Sequence, residues 1–219
     1  MTKGQLEELI ERMCVEEKCA SSDESIRWHA CREAEKISDS SLFPILQEFI
    51  SLNSEDNKKD KKIRRAIYFI IGKMLQNSFD ENLCKFLIER LNIENDKYAL
   101  SEILDLLSFI SIPEKIDISP LISCCTNDKW LIRYSAIQAL GASATKESKE
   151  MITYYLNQTD YKKYKDEIIY ANVALGKIGN IDDIPILEKY LTSRIRDIKI
   201  SAKFAIENIK SRNIYNYDI

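Results

Sequence analysis

The sequence predicts an all-α fold, a solenoid of about five helical hairpins with a capping helix at each end. The first observation is a recurring segment. In Ile132-Arg-Tyr-Ser-Ala-Ile-Gln-Ala-Leu-Gly141, the residues Ile132, Ala136, Ala139 and Leu140 fall at helical spacing on one face, with Arg133 and Gln138 opposite. The pattern returns at Ile26 with Ala30 and Ala34, at Ile63 with Ile67, Ile71 and Gly72, and at Ile198 with Ala202, Ala205 and Ile206. Ala171 to Gly176 overlays on Ala136 to Gly141, and a weaker copy runs from Tyr98. Starts at 26, 63, 98, 132, 167 and 198 are separated by 37, 35, 34, 35 and 31 residues, a period that belongs to stacked repeats.

The second observation is an apolar segment after each copy: Phe43 to Ile50, Leu83 to Leu91, Leu121 to Cys125, Ile152 to Leu156 and Leu187 to Leu191. The unit is therefore a hairpin of two helices. Pro44, Pro120 and Pro185 stand at the start of three second helices, where a missing N–H costs nothing. The third observation is composition. Five Gly and four Pro leave little material for strands joined by tight turns.

In chain order, residues 3 to 19 place Leu6, Leu9, Ile10, Met13 and Cys14 on one face, an amphipathic helix that caps the first hairpin. Repeats start near 23, 60, 95, 128 and 164, with Asp23 and Asp60 as expected N-caps. The charge-dense stretch from Ser54 to Lys62 reads as a loop. In repeat three, Leu100, Leu104 and Leu107 make a helix apolar nearly all round, for which burial is favoured over a partner strip. Gly141, Gly176 and Gly179 are expected to end first helices in left-handed geometry. Residues 196 to 211 form the second cap, and the tail from Asn213, with Tyr215 and Tyr217, is expected to be loose. A solenoid is continuous, so residues 1 to 219 are read as one domain.

The residues Ala-Leu-Gly-Lys-Ile-Gly-Asn at 174 to 180, followed by Ile184-Pro-Ile-Leu187 and Ile198-Lys199, resemble the HEAT-type repeats of the phycobilisome-lyase-like class. The likeness is close over 128 to 210, recognisable over 23 to 76 and degraded over 96 to 127. It implies a right-handed α-α superhelix whose second helices line the concave side. It does not imply one activity, because such repeats serve scaffolds, lyases, hydroxylases and DNA-repair enzymes.

Charged residues make up 31% of the chain and cancel to a net charge of −3, which gives a surface without a dominant field. There is no apolar signal core at the N-terminus and no apolar run long enough to span a membrane. The six cysteines at 14, 19, 31, 84, 124 and 125 lack a CxxC pair and read as reduced thiols, so the expected location is the cytoplasm.

Catalytic readings fare poorly. His29 is the only histidine, which excludes the several His-Glu pairs that HEAT-type deoxyhypusine hydroxylases need for two irons. Cys14, Cys19, His29 and Cys31 are badly spaced for zinc. Ser143-Ala-Thr-Lys146 matches Ser-x-x-Lys without any companion motif. Asp182-Asp183 and Asp80-Glu81 precede second helices and read as caps. No catalytic residue, cofactor or metal is assigned.

The leading reading is a non-enzymatic scaffold that binds a protein partner. Its concave surface is drawn from Gln47, Glu48, Glu89, Thr153, Tyr154, Glu188 and Lys189 on the second helices, which by register expose these together with Ser123, a mixed to acidic set. The alternative is a nucleic-acid binder or repair protein, comparable to HEAT-like alkylpurine DNA glycosylases, using Lys61, Lys62, Arg64, Arg65, Lys162, Lys163 and Lys165. It is disfavoured because the second-helix set has the wrong sign for phosphate. Arg27, Arg64 and Arg133, at one template position, are expected to brace neighbouring repeats, and Trp28, Trp130 and Tyr134 to pack between them.

Overall fold

The computed structural model describes the backbone of residues 1–214 and the side chains of 1–212. Among the described residues all regular structure is helical, in two compact units, Met1–Leu106 and Leu107–Ile219.

Unit 1 opens with α1 (Lys3–Met13), then α2 (Ile26–Ala34) and α3 (Phe43–Leu52) as the first hairpin, and α4 (Lys58–Asn77) and α5 (Glu81–Arg90) as the second. Helix α6 (Lys97–Leu107) closes it. Leu6, Leu9, Leu46, Ile67, Ile70, Ile71, Leu83 and Leu87 are essentially inaccessible and form its core, each side chain contributing on the order of 1.5–3 kcal/mol by burial. The apolar α6 is buried at Leu100, Leu104 and Leu107, which leaves no wide apolar strip there.

Unit 2 holds α7 (Ser119–Cys124), the pair α8 (Trp130–Ala139) and α9 (Lys146–Leu156), the pair α10 (Lys165–Ile178) and α11 (Ile184–Glu188), and α12 (Arg196–Ile214). The first helices α8, α10 and α12 pack successively on one another. Pro44, Pro120 and Pro185 all lie in the first turn of their helices, as their missing N–H allows.

Several boundaries differ from the sequence expectation. Helix α1 stops at Met13 rather than 19, and residues 14–19 run irregularly. Helix α2 is capped by Ser25, whose hydroxyl accepts from the Trp28 N–H, while Asp23 lies in a 3-10 turn at Ser22–Glu24. Asn57 caps α4, so Lys58 to Lys62 form its first turn and the loop is shorter than Ser54 to Lys62. A serine or asparagine adjacent to the first turn reaches an orphan N–H that the aspartates three residues ahead of the apolar template do not. Asn213 and Ile214 belong to α12; Tyr215 and Tyr217 lie outside the described residues.

The glycines act by size. No described residue has positive φ, so Gly141, Gly176 and Gly179 supply no left-handed cap. A Cβ on Gly72 would fall 2.5 Å from the Leu106 side chain, one on Gly141 3.1 Å from the Ala174 Cα, and one on Gly176 2.8 Å from the Ala205 Cα. Each glycine lets a first helix lie against the next.

Candidate functional site

The second-helix residues named from the sequence divide between the units. In unit 1, Gln47 and Glu48 lie exposed on α3 and Glu89 on α5. Glu48 is engaged by the Lys3 ammonium at 2.7 and 2.8 Å. The Glu89 carboxylate makes no hydrogen bond or ion pair among the described residues, though its charge acts on Lys85 one turn earlier.

In unit 2, α9 carries the half-buried Thr153 and the ring of Tyr154, which is 51% exposed and meets Tyr155 edge-on. Glu188, at the end of α11, is exposed and also unpartnered among the described residues. Lys189 is different: its ammonium donates to the Leu156 carbonyl and, at 3.3 Å, to Asn157 Oδ1. Burial pushes its pKa down. Its head group braces two second helices.

The basic residues are mostly consumed by carboxylates. Lys61 pairs with Asp56 at 2.6 Å, Lys58 and Lys62 share Glu16, Arg65 pairs with Asp96, and Lys165 reaches Asp197 at 3.1 Å. Hydrogen bonds from the two lysines pull Glu16 down to about 2. Arg64 is 5% exposed and bound by Glu94 through two 2.9 Å hydrogen bonds, which corrects its reading as a nucleic-acid contact. A guanidinium buried on a carboxylate has no donor to offer phosphate. Lys162 and Lys163 alone of that set are exposed without a carboxylate partner among the described residues.

The template arginines do brace repeats at two of three positions. Arg64 also donates to the Asn53 and Glu55 carbonyls at 2.8 and 3.0 Å. Arg133 donates to Glu167 at 2.8 Å and to the Asn127 and Asp128 carbonyls at 2.7 and 3.3 Å. Each ties its own helix start to the loop before it and to the next repeat. Arg27 does not follow. Asp60, third in α4 as Glu167 is third in α10, accepts instead from the Glu55 N–H at 3.1 Å.

Of the three aromatics expected between repeats, Tyr134 stacks on Tyr170 at 5.4 Å and donates to Asp166 at 3.3 Å. Trp28 and Trp130 are instead 40% and 61% exposed, the third and first residues of their helices, and their ring contacts are local, Trp28 with His29 and Arg32 and Trp130 with Tyr134. Sequence reading missed another brace. Tyr155 donates to the Cys125 carbonyl at 2.6 Å, and Tyr190, one repeat later, donates to the Leu156 carbonyl. Their separation of 35 residues equals the repeat period and was the available signal.

The motifs weighed for catalysis occupy structural places. Ser143 is fully buried, while the Lys146 side chain is 84% exposed and pairs with Glu150. Asp80 caps α5 by accepting from the Asn82 and Leu83 N–H groups, and Asp183 accepts from the Asn180 N–H and from Lys149. No helix is long and apolar enough to cross a membrane, and no group of three or more His, Cys, Asp or Glu is placed to hold a metal, among the described residues.

No protein-family model matches the chain, and no curated protein matches its sequence. Solved structures do resemble it. A designed armadillo repeat protein in complex with peptide (KR)4 is 13% identical, with a TM-score of 0.51 over 94% of this chain and 99% of that one. A second designed armadillo repeat protein is 14% identical, covering 92% and 98%, with a TM-score of 0.49. An engineered protein is 18% identical, covering 96% and 98%, with a TM-score of 0.47. The first of these, with the hairpins described above, defines the class: the chain has an all-α helical-repeat fold of the solenoid kind.

Proposed function

We propose that the chain is a non-enzymatic scaffold or adaptor that binds a protein segment on its second helices. One observation carries the reading. Glu89 and Glu188 stand exposed and make no hydrogen bond or ion pair among the described residues, and Tyr154 presents an open ring, while most of the cations at the first-helix starts are neutralised internally. Exposed aromatic and carboxylate side chains suit a segment with apolar and basic side chains. The peptide (KR)4 held by the similar designed protein supports the same polarity. Within unit 2 the surface comprises Thr153, Tyr154 and Glu188 with the Lys189 stem; within unit 1 it comprises Gln47, Glu48 and Glu89. The finer assignments remain part of this proposal: one continuous solenoid of the phycobilisome-lyase-like HEAT class, acting in the cytoplasm.

The test is capture of partners by the tagged full chain from nuclease-treated lysate at low and high salt, repeated with Tyr154→Ala and Glu188→Lys. The expected result is a stoichiometric protein retained by the wild type and weakened at least tenfold by either substitution, with helicity unchanged. Retention that both variants leave intact, or capture of nucleic acid lost with salt, would overturn the proposal.

A further inference from the structure

Unit 1 contains a cleft of about 840 Å³ between the irregular segment after α1, the start of α2, and α4 and α6. That volume lies in the range of built ligand sites. Arg27, the template arginine that braces no neighbouring repeat, is in the lining of the cleft. Arg64 is seated on Glu94 and Arg133 on Glu167, whereas the exposed Arg27 guanidinium makes no hydrogen bond or ion pair with a carboxylate among the described residues, Glu17 and Glu102 acting on it only through their charge.

Of the other charges of the lining, Lys18 is exposed and makes no ion pair among the described residues, and the rest are largely engaged. Lys62 is paired with Glu16, and Arg65 with Asp96. The Glu17 carboxylate accepts from the Ser25 hydroxyl at 2.6 Å and from the Ile26 and Arg27 N–H groups at 3.1 and 2.9 Å, sealing the start of α2. Val15, Ala66 and Phe69 give the cleft apolar walls, and Glu102 lines it with no hydrogen-bond partner for its carboxyl among the described residues.

We propose that this cleft receives an acidic side chain of a partner protein, its carboxylate taking two N–H donors from Arg27. The partner supplies from outside what Glu94 and Glu167 supply within the chain. An apolar neighbour in the partner rests on Val15, Ala66 and Phe69, and Glu102 accepts a main-chain N–H of the incoming segment. Glu102 also disfavours small polyanions, which bring charge without a donor. This site is distinct from the second-helix surface and opposite to it in the charge it selects.

The experiment is calorimetric titration of the full chain with the blocked peptide Ac-Ala-Leu-Glu-Leu-Ala-NH2, its Gln analogue, and free succinate. The Glu peptide is expected to bind at least tenfold more tightly than the Gln peptide and than succinate. Arg27→Gln should abolish that difference and Arg27→Lys retain part of it, with circular dichroism unchanged because the Arg27 side chain makes no hydrogen bond or ion pair among the described residues. Arg32→Gln, which alters an exposed pair with Glu35, should leave binding intact. Equal affinity for the two peptides, indifference to Arg27→Gln, or succinate binding as tightly as the Glu peptide would overturn the proposal. Tyr154→Ala and Glu188→Lys should not affect this titration, which separates its failure from failure of the second-helix surface.

Discussion

Gly176 of α10 lies directly against Ala205 of α12, so that a Cβ added to the glycine would stand 2.8 Å from the alanine Cα. The obstacle is backbone, which cannot swing aside. Gly176→Ala is therefore expected to destabilise the chain by about 1–3 kcal/mol despite the better helix propensity of alanine. Gly4, in α1, has open space where a Cβ would stand, with no other atom within 4 Å, and Gly4→Ala should stabilise by up to about 1 kcal/mol. Urea midpoints of the two variants check the contrast; equal effects would mean that α10 and α12 are not in this close contact.

The Arg64–Glu94 pair predicts an acid dependence. Burial pushes the Glu94 pKa up, but the Arg64 guanidinium, the Asp96 N–H and the Tyr68 hydroxyl outweigh it and hold the carboxyl at about 2 against an ordinary 4.5. A depressed folded-state pKa contributes stability that is present above pH 4.5 and lost as pH falls from there towards 2. Glu94→Gln should cost about 3–5 kcal/mol at neutral pH by stranding a buried guanidinium, and should flatten the acid slope. Denaturation midpoints between about pH 2.5 and 6 provide the measurement.

Tyr155 and Tyr190 close equivalent carbonyls in successive repeats, but they are not equivalent energetically. Tyr155→Phe leaves the Cys125 carbonyl without its donor and is expected to cost about 1–3 kcal/mol. Tyr190→Phe should cost less, because Lys189 also donates to the Leu156 carbonyl. Thermal melts of the two variants test the order.

The cysteines should fall into three kinetic classes with an aromatic disulfide reagent. Cys19 is exposed and reacts first. Cys14 and Cys31 are half-buried, with thiol pKa values raised by burial, and follow slowly. Cys84, Cys124 and Cys125 are buried, which pushes the first two up to about 12 and 11 and the third further still. They should react only in denaturant; fast reaction of more than one thiol in the native protein would contradict the packing.

The repeat period, the hairpin unit, the three prolines and the buried faces of α4, α8 and α10 were legible in the sequence, because apolar spacing along a helix is a local property. The exposed second-helix residues were legible by the same register. What the tertiary structure decided were the meetings between repeats: Arg64 with Glu94 but Arg27 bonded to no carboxylate among the described residues, Gly176 against Ala205, and Lys189 turned to the Leu156 carbonyl. Those depend on the axial offset of one helix against the next, and no single helix's periodicity encodes that offset. After the first repeat Asp60 accepts from the Glu55 N–H, while Glu167, at the same place in its helix, reaches Arg133; which partner each carboxylate meets is set between helices and not along one.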